Sequence, residues 1–333
     1  MFDLWEATIW LPGNFTWADL RSDENIRFPQ RDEFFYYGAV ATVCMLILRI
    51  SIESFVFVPL AWVGGWIREP LVPRMFQHFT GGFAGKSKLK RVAECAWRFS
   101  YYVFSTIFGI YALSGQPQVS SVVECWKGWP RHNLPDAIWW YYIVEAAFYQ
   151  GLLISQLFFD VRRSDFLQML LHHVVTVFLL FISWNMNMIR VGALIILCHD
   201  VGDVFLELTK LFRYARWQRM MELNSIVFVA IWVASRNIYF PFWIVHSIWF
   251  DAPALIQDSY RWGDLSQRPL MPRILLVLLT ALIFLHVLWT ALIIRIIYNS
   301  VAEGKDLDDE REESDAESDT EDSAEKITRK KKE

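Results

Sequence analysis

The chain has 333 residues, of which 54% are hydrophobic, 17% aromatic and only 20% charged, and its mean hydropathy is +0.25. Soluble domains average about 45–50% apolar and about 25% charged residues, so this balance excludes a disordered chain, a disulfide-stapled secreted scaffold and an ordinary nucleic-acid binder, and points to a membrane protein. The net charge of −4 is unevenly placed: residues 301–333 hold 14 acidic and 7 basic side chains, which leaves a mildly basic body.

Residues 1–33 are polar and acidic, with no basic stretch leading into an apolar one, so they do not read as a cleavable signal peptide. They contain Asn14-Phe15-Thr16, a glycosylation sequon. Apolar runs of span length follow at roughly 34–60, 97–114, 137–158, 168–184, 189–209, 224–249 and 273–297. The expected fold class is therefore an all-α polytopic membrane protein of about seven transmembrane helices. Only Trp184-Asn185-Met186-Asn187 separates the fourth run from the fifth, which predicts a tight hairpin and antiparallel neighbours.

Seven spans put the termini on opposite sides. Lys and Arg number 13 in the 1–2, 3–4 and 5–6 loops against 9 on the other side, and the richer side is cytosolic. The N-terminus is then lumenal, where Asn14 meets the glycosylation machinery, and the C-terminus is cytosolic. Residues 306–325 hold 12 acids and almost no apolar surface, so they are expected to stay disordered. Ser314, Ser318 and Thr320 in that tail are candidate phosphorylation sites. Lys330-Lys331-Lys332 near the end resembles the di-lysine retrieval signal of endoplasmic reticulum membrane proteins.

Cys44, Cys95, Cys125 and Cys198 are scattered without a CxxC, which argues against a zinc knuckle or redox pair. Cys44 and Cys198 lie in apolar runs and read as core packing; Cys125 is the candidate for an exposed thiol.

Two spans carry residues that membranes disfavour. The fourth opens with Leu171-His172-His173-Val174-Val175-Thr176, and the fifth holds Arg190, His199, Asp200, Asp203, Glu207 and Lys210. An ionised side chain at mid-span costs roughly 2.5–3.5 kcal/mol on insertion scales, so Asp200 and Asp203 need a functional reason. Asp200, Asp203 and Glu207 stand at i, i+3 and i+7 along one helix stripe, which Lys210 extends. The hairpin sets the His pair and the Asp pair about a dozen residues either side of the turn, at matching depth toward the cytosol. A His pair facing carboxylates is suited to general acid–base or His-nucleophile chemistry. His246 and His286 have no acidic partner nearby and read as structural. No HxxHH box is present, so no metal is assigned.

The run Asp165-Phe166, His172-His173-xx-Thr176, Arg190-x-Gly192, His199-Asp200-xx-Asp203-xxx-Glu207-xx-Lys210, then Arg236 with Phe240-Pro241 resembles the ceramide synthases, which are TLC-domain membrane proteins. The likeness spans about 91–298. It implies a TLC-type helical bundle enclosing a polar intramembrane cavity, and an acyl-CoA-dependent sphingosine N-acyltransferase of the endoplasmic reticulum. Such an enzyme joins the fatty acyl chain of acyl-CoA to the amine of a sphingoid base, giving ceramide or dihydroceramide and CoA. On this likeness His172, His173, Asp200 and Asp203 are catalytic, and Arg190, His199, Glu207, Lys210 and Arg236 are candidates for substrate binding. The implied partners are sphingoid base, acyl-CoA as co-substrate and membrane lipid, with no other cofactor, no nucleic acid, and a homo- or heterodimer with related synthases. The region between the first two spans is too short for the homeobox-like domain many animal members carry. A non-catalytic TLC protein that binds or senses lipid is the alternative.

The resulting division is a lumenal segment 1–33, a first transmembrane helix 34–60, a cytosolic loop 61–96, a TLC-type catalytic domain 97–298, and an acidic tail 299–333. The loops with Lys86, Lys88, Lys90, Arg91 and Arg213 lie where CoA phosphates would dock. Residues 250–272, with Trp262, Gly263 and Asp264, match the family's loop that influences acyl-chain length.

Overall fold

A computed structural model describes residues 3–303, apart from residues 25, 66, 68, 69, 86, 258 and 259. The three tail sites, Ser314, Ser318 and Thr320, lie outside the described residues, as do the lysines at the C-terminus. All described regular structure is helical. Helix α1 runs over Arg31–Val63, α2 over Leu71–Thr80, α3 over Lys88–Leu113, α4 over Asp136–Phe158, α5 over Phe166–Asn185, α6 over Ile189–Tyr214, α7 over Gln218–Phe250 and α8 over Met271–Glu303.

Seven of these match the seven apolar runs, but only α1, α5, α7 and α8 are both long and apolar enough to cross a membrane by composition. Helices α3, α4 and α6 are as long, yet they carry the polar and ionisable groups. Their place in the bundle explains this. Helix α6 packs against both α3 and α7, α4 packs against α1, α3 and α5, and α8 closes against α5 and α7. The polar groups of α3, α4 and α6 therefore face protein. Helix α3 starts nine residues before the expected 97, because its early charges find partners.

The segment 61–96, expected as a connecting loop, contains regular structure. Part of it is helix α2 and the first turns of α3. Lys90, placed by the sequence among the loop cations facing CoA phosphates, is instead 1% exposed, and its Nζ lies 3.1 Å from Glu53 Oε2 and 3.5 Å from Glu94 Oε1. Arg49 joins the cluster, 2.8 Å from Glu53 and 2.6 Å from Asp160, and His78 of α2 sits 3.2 Å from Glu53.

Two prolines shape the long helices. Pro59 and Pro241 lack the amide hydrogen that an α-helix needs and crowd the carbonyl four residues back. The chain widens into π-helical turns over Glu53–Phe57 in α1 and Val233–Val245 in α7, as such bulges often do at functional places.

The N-terminal segment is a packed cap over one end of the bundle. A short helix Ala7–Trp10 and a 3-10 turn Trp17–Leu20 bury Ile9, Trp10, Leu11 and Leu20. Trp5 stacks on Trp10 at 5.0 Å, and both meet Phe181 of α5 edge-on. The amide of Leu270 donates to Ile9 O (2.8 Å), and Trp184 Nε1 donates to Gln30 O (2.9 Å). Asn14 stays exposed in this cap.

The predicted hairpin between α5 and α6 forms. Asn187 takes φ +52°, a conformation Asn tolerates better than bulkier residues. Its Nδ2 donates to Pro130 O (2.7 Å) and His132 O (2.9 Å), and Trp129 Nε1 donates to Met186 O (2.7 Å). Cys125 is buried beneath this clasp, in the turn Val122–Cys125, so it is not the exposed thiol; Cys44, on the outer side of α1, is.

Candidate active site

Below the hairpin α5 and α6 make little direct contact, and a cavity of about 200 Å³ opens between them. Glu94, Arg98 and Tyr102 of α3, Tyr149 and Gln156 of α4, and His172 and His173 of α5 line it, with His199, Asp203, Glu207 and Lys210 of α6, Arg236 of α7, and His286 and Trp289 of α8. The α6 contributions recur at i, i+4, i+8 and i+11. At 1.5 Å per residue that stripe covers about 16 Å of depth. A second, apolar cavity of about 50 Å³ continues toward the hairpin, lined by Leu179, Leu180, Ile195, Leu275, Leu279 and Leu282. His172, Tyr149 and His199 border both.

The two histidines of α5 are held differently. Gln156 Nε2 donates to Phe166 O (2.9 Å), which turns its Oε1 toward His173 Nδ1 at 2.6 Å. A carbonyl oxygen only accepts, so His173 Nδ1 carries the hydrogen and Nε2 keeps a free lone pair. His172 packs edge-on against Trp289 at 5.3 Å, and its Nδ1 has no protein partner.

The carboxylates separate. Asp203 borders the cavity, paired with Arg236 at 2.8 Å. Arg236 is 4% exposed, donates also to His199 O (3.0 Å), and lies over the Trp232 ring at 4.4 Å. Its Nη1 is buried without a partner. It fits because residue 202 is Gly: a Cβ there would lie 2.1 Å from Nη1. Asp200 does not border the cavity. Three residues turn a helix by 300°, leaving Asp200 about 60° round from Asp203, and it faces α3 and α4. There Ser105 contacts Oδ2, and Tyr149 donates to Oδ1 (3.2 Å). The expected face-to-face His and Asp pairs therefore reduce to His172, His173 and Asp203, with Asp200 one layer behind Tyr149.

His199 Nδ1 donates to Ile195 O (2.6 Å), so its Nε2 accepts from His286 Nε2 at 3.2 Å. His286, read from sequence as structural, thus enters the cavity wall. Its partner is another imidazole, which a search for acidic partners misses. Glu207 and Lys210 are no exposed surface pair. Glu207 is buried and sits 2.9 Å from Lys210 and 3.2 Å from Arg98. Arg190 is far from the cavity: its Nη1 donates to Glu124 O (3.1 Å) near the hairpin, nine residues or about 13 Å of helix before His199.

Glu94, Arg98, Tyr102, Tyr149, Gln156, His286 and Trp289 are among the cavity residues that sequence reading did not assign to the site. Arg98 and Glu94, both close to the start of an apolar run, were the available signal. Among the described residues, no group of three or more His, Cys, Asp or Glu is arranged to hold a metal ion.

A family model described as the TLC domain matches residues 91–295, from the first turn of α3 into α8. The chain is 37% identical over 316 residues to ceramide synthase hyl-2 of Caenorhabditis elegans, covering 94% of each. It is 41% identical over 308 residues to ceramide synthase hyl-1 of the same organism, covering 90% of this chain and 81% of the relative. The chain belongs to the ceramide synthase family. Human ceramide synthase 5 is 30% identical over 357 residues, covering 96% of this chain and 88% of the relative. The cavity described above lies almost wholly within the TLC domain of this ceramide synthase family member.

Proposed function

We propose that this enzyme transfers a fatty acyl chain from acyl-CoA to the amine of a sphingoid base, giving ceramide or dihydroceramide and CoA. The observation that carries this reading is the convergence of His172, His173, Asp203 and Arg236 on one buried cavity with an apolar extension, in a chain of this family. The sphingoid ammonium must lose a proton before its nitrogen can attack. This reading assigns that proton to the Nε2 lone pair of His173 or to the neighbouring imidazole of His172; the Gln156 contact that fixes the His173 hydrogen on Nδ1 supports it. The nitrogen then bonds to the thioester carbon, the C–S bond breaks, and the imidazolium returns one proton to the CoA thiolate. The second amine proton leaves to solvent. In the alternative order, an imidazole Nε2 attacks the thioester first and carries the acyl group to the amine.

Arg236 has an unused N–H for the thioester oxygen or a substrate hydroxyl. Arg98 and Lys210, both paired with Glu207, are the cavity cations this reading assigns to the CoA phosphates. The leucine-lined extension suits an aliphatic chain. The same reading places the protein in the endoplasmic reticulum membrane, with the N-terminal cap lumenal, Asn14 glycosylated, the tail cytosolic and open to phosphorylation, and the seven long helices as spans. It also allows a dimer with itself or a related synthase.

The test is purified protein with acyl-CoA and sphinganine, product followed by mass spectrometry. Ceramide formation that the His172→Ala, His173→Ala double variant lacks is expected. Equal product from wild type and double variant overturns the assignment.

A further inference from the structure

Glu145 lies in the middle of α4, is fully buried, and has no part in the chemistry above. Its surroundings give it one. Ser105 Oγ is 2.5 Å from Glu145 Oε1 and also contacts Asp200 Oδ2. Tyr101 donates to Glu145 Oε1 at 2.9 Å, Tyr149 donates to Asp200 Oδ1 at 3.2 Å, and Glu145 Oε2 has no partner. Among the described residues neither carboxyl makes an ion pair. The groups facing them are Tyr101, Tyr102 and Ser105 from α3, Tyr141 and Tyr149 from α4 itself, and Asp203 from α6, whose charge Arg236 already engages.

A hydroxyl holds one hydrogen. Ser105 can donate to one of the two carboxyls only, and the other contact is a hydrogen bond only if that carboxyl is protonated and donates to Ser105 Oγ. Two ionised carboxylates bridged by one hydroxyl, buried and without a cation, would carry the large cost of unpaired buried charge. One proton resolves both difficulties, and it has two homes. In one, Asp200 donates to Ser105 and Ser105 donates to Glu145. In the other, Glu145 donates to Ser105 and Ser105 donates to Asp200. Passing between them moves one proton from Asp200 to Ser105 and another from Ser105 to Glu145, with no net gain or loss.

We infer that Glu145 is a positioning residue of the acyl transfer: through Ser105 it shares one proton with Asp200 and so sets whether Asp200 is charged behind Tyr149. The consequence reaches the cavity because Tyr149 borders both chambers. A charged Asp200 holds the Tyr149 O–H inward. A neutral Asp200 releases it to donate to a group in the cavity, such as the thioester oxygen. This role rests on the proposed transferase reading, but the shared proton itself does not.

The experiment therefore has two arms. Infrared spectra of the full-length protein in lipid, in light and heavy water, read protonated carboxyls directly without turnover. A protonated-carboxyl band is expected in wild type near neutral pH, lost or shifted in Glu145→Gln and in Ser105→Ala. In the second arm, Glu145→Gln fixes an amide donor toward Ser105 and locks Asp200 in the charged state. The turnover number is expected to fall about 10²-fold, the lower end for a disturbed proton transfer, with the pH profile flattened and KM for acyl-CoA unchanged. Glu145→Asp, which keeps a carboxyl, is expected to restore the pH profile. If Glu145→Gln does not fold, Ser105→Ala carries the same comparison. Absence of a band sensitive to either substitution, or a Glu145→Gln pH profile superimposable on wild type, overturns the inference. A band that behaves as expected in a protein that makes no ceramide overturns the transferase reading alone.

Discussion

The ion pair between Asp203 and Arg236 offers a test that separates charge from packing. The Nη2–Oδ1 distance is 2.8 Å, with the two side chains 4% and 17% exposed. At an effective dielectric of about 20, two unit charges at that separation attract by about 6 kcal/mol. Much of this is offset by the loss of hydration on burial, and breaking such a pair on one side typically costs about 3–5 kcal/mol. Asp203→Asn keeps the volume and an acceptor oxygen for Arg236, so the lower figure, about 3 kcal/mol, is expected. Asp203→Asn with Arg236→Gln removes both charges and leaves no orphan. Its stability is expected to return most of the way to wild type while ceramide formation stays lost. Thermal unfolding in detergent, with transferase activity on the same samples, reads both quantities. A double variant no more stable than the single one refutes the pairing argument, and one with wild-type activity removes Asp203 and Arg236 from the working site.

Three further outcomes are expected. His172→Ala and His173→Ala each lower turnover by about 10²–10⁴-fold, the range for a lost acid–base group, with membrane insertion intact by protease protection. Asn14→Gln removes a glycan, read as an electrophoretic shift, and leaves ceramide synthesis near wild type; a protease-accessible N-terminus in sealed microsomes would reverse the topology. His132, in the clasp under the hairpin, is pushed down to about 4 by burial and by the Arg190 charge. The unfolded chain, with the ordinary value of 6.5, binds the proton first as pH falls, so this contribution is complete above about pH 6.5 and is lost progressively toward pH 4. That amounts to about 2 kcal/mol between pH 7 and pH 5, visible as a fall in Tm that His132→Gln suppresses.

Much of the fold was legible because periodicity and length determine spans. The hairpin at Trp184–Asn187 and the rough limits of all seven long helices followed from apolar runs alone. The site was legible where ionisable groups broke those runs, as at His172, His173 and Asp203. It failed where side-chain direction mattered. Asp200 and Asp203 share a stripe at the resolution of i, i+3 spacing, yet a 60° offset sends one to the cavity and the other to Ser105. Arg190 follows the same helix but at the wrong height. Partners distant in sequence were also invisible: Gln156 meets His173 from α4, and His286 meets His199 from α8. The packing role of residues 1–33 was hidden because their apolar residues, among them Trp5, Ile9, Trp10 and Leu11, are scattered between charges and form neither a span-length run nor a periodic pattern.

The charged cluster at the far end of the bundle from that cap explains how so polar an interior is held open. Arg49, Glu53, Lys90, Glu94 and Asp160 come from α1, α3 and the turn after α4, and His78 ties in α2. Burial disfavours the charge on Asp160, but the Arg49 and Lys90 charges beside it hold its carboxyl below the usual range. Glu94 and Asp160 also border the cavity, so the cluster forms one wall of its mouth. Apolar side chains at these positions would draw α1, α3 and the α4–α5 turn together by simple burial and close that wall. Paired charges resist such collapse, because each must keep its geometry to remain satisfied. The buried ions at this end and the aromatic cap at the other thus divide the work: the cap and clasp fix the hairpin from which α5 and α6 diverge, and the ion cluster keeps the mouth between them open.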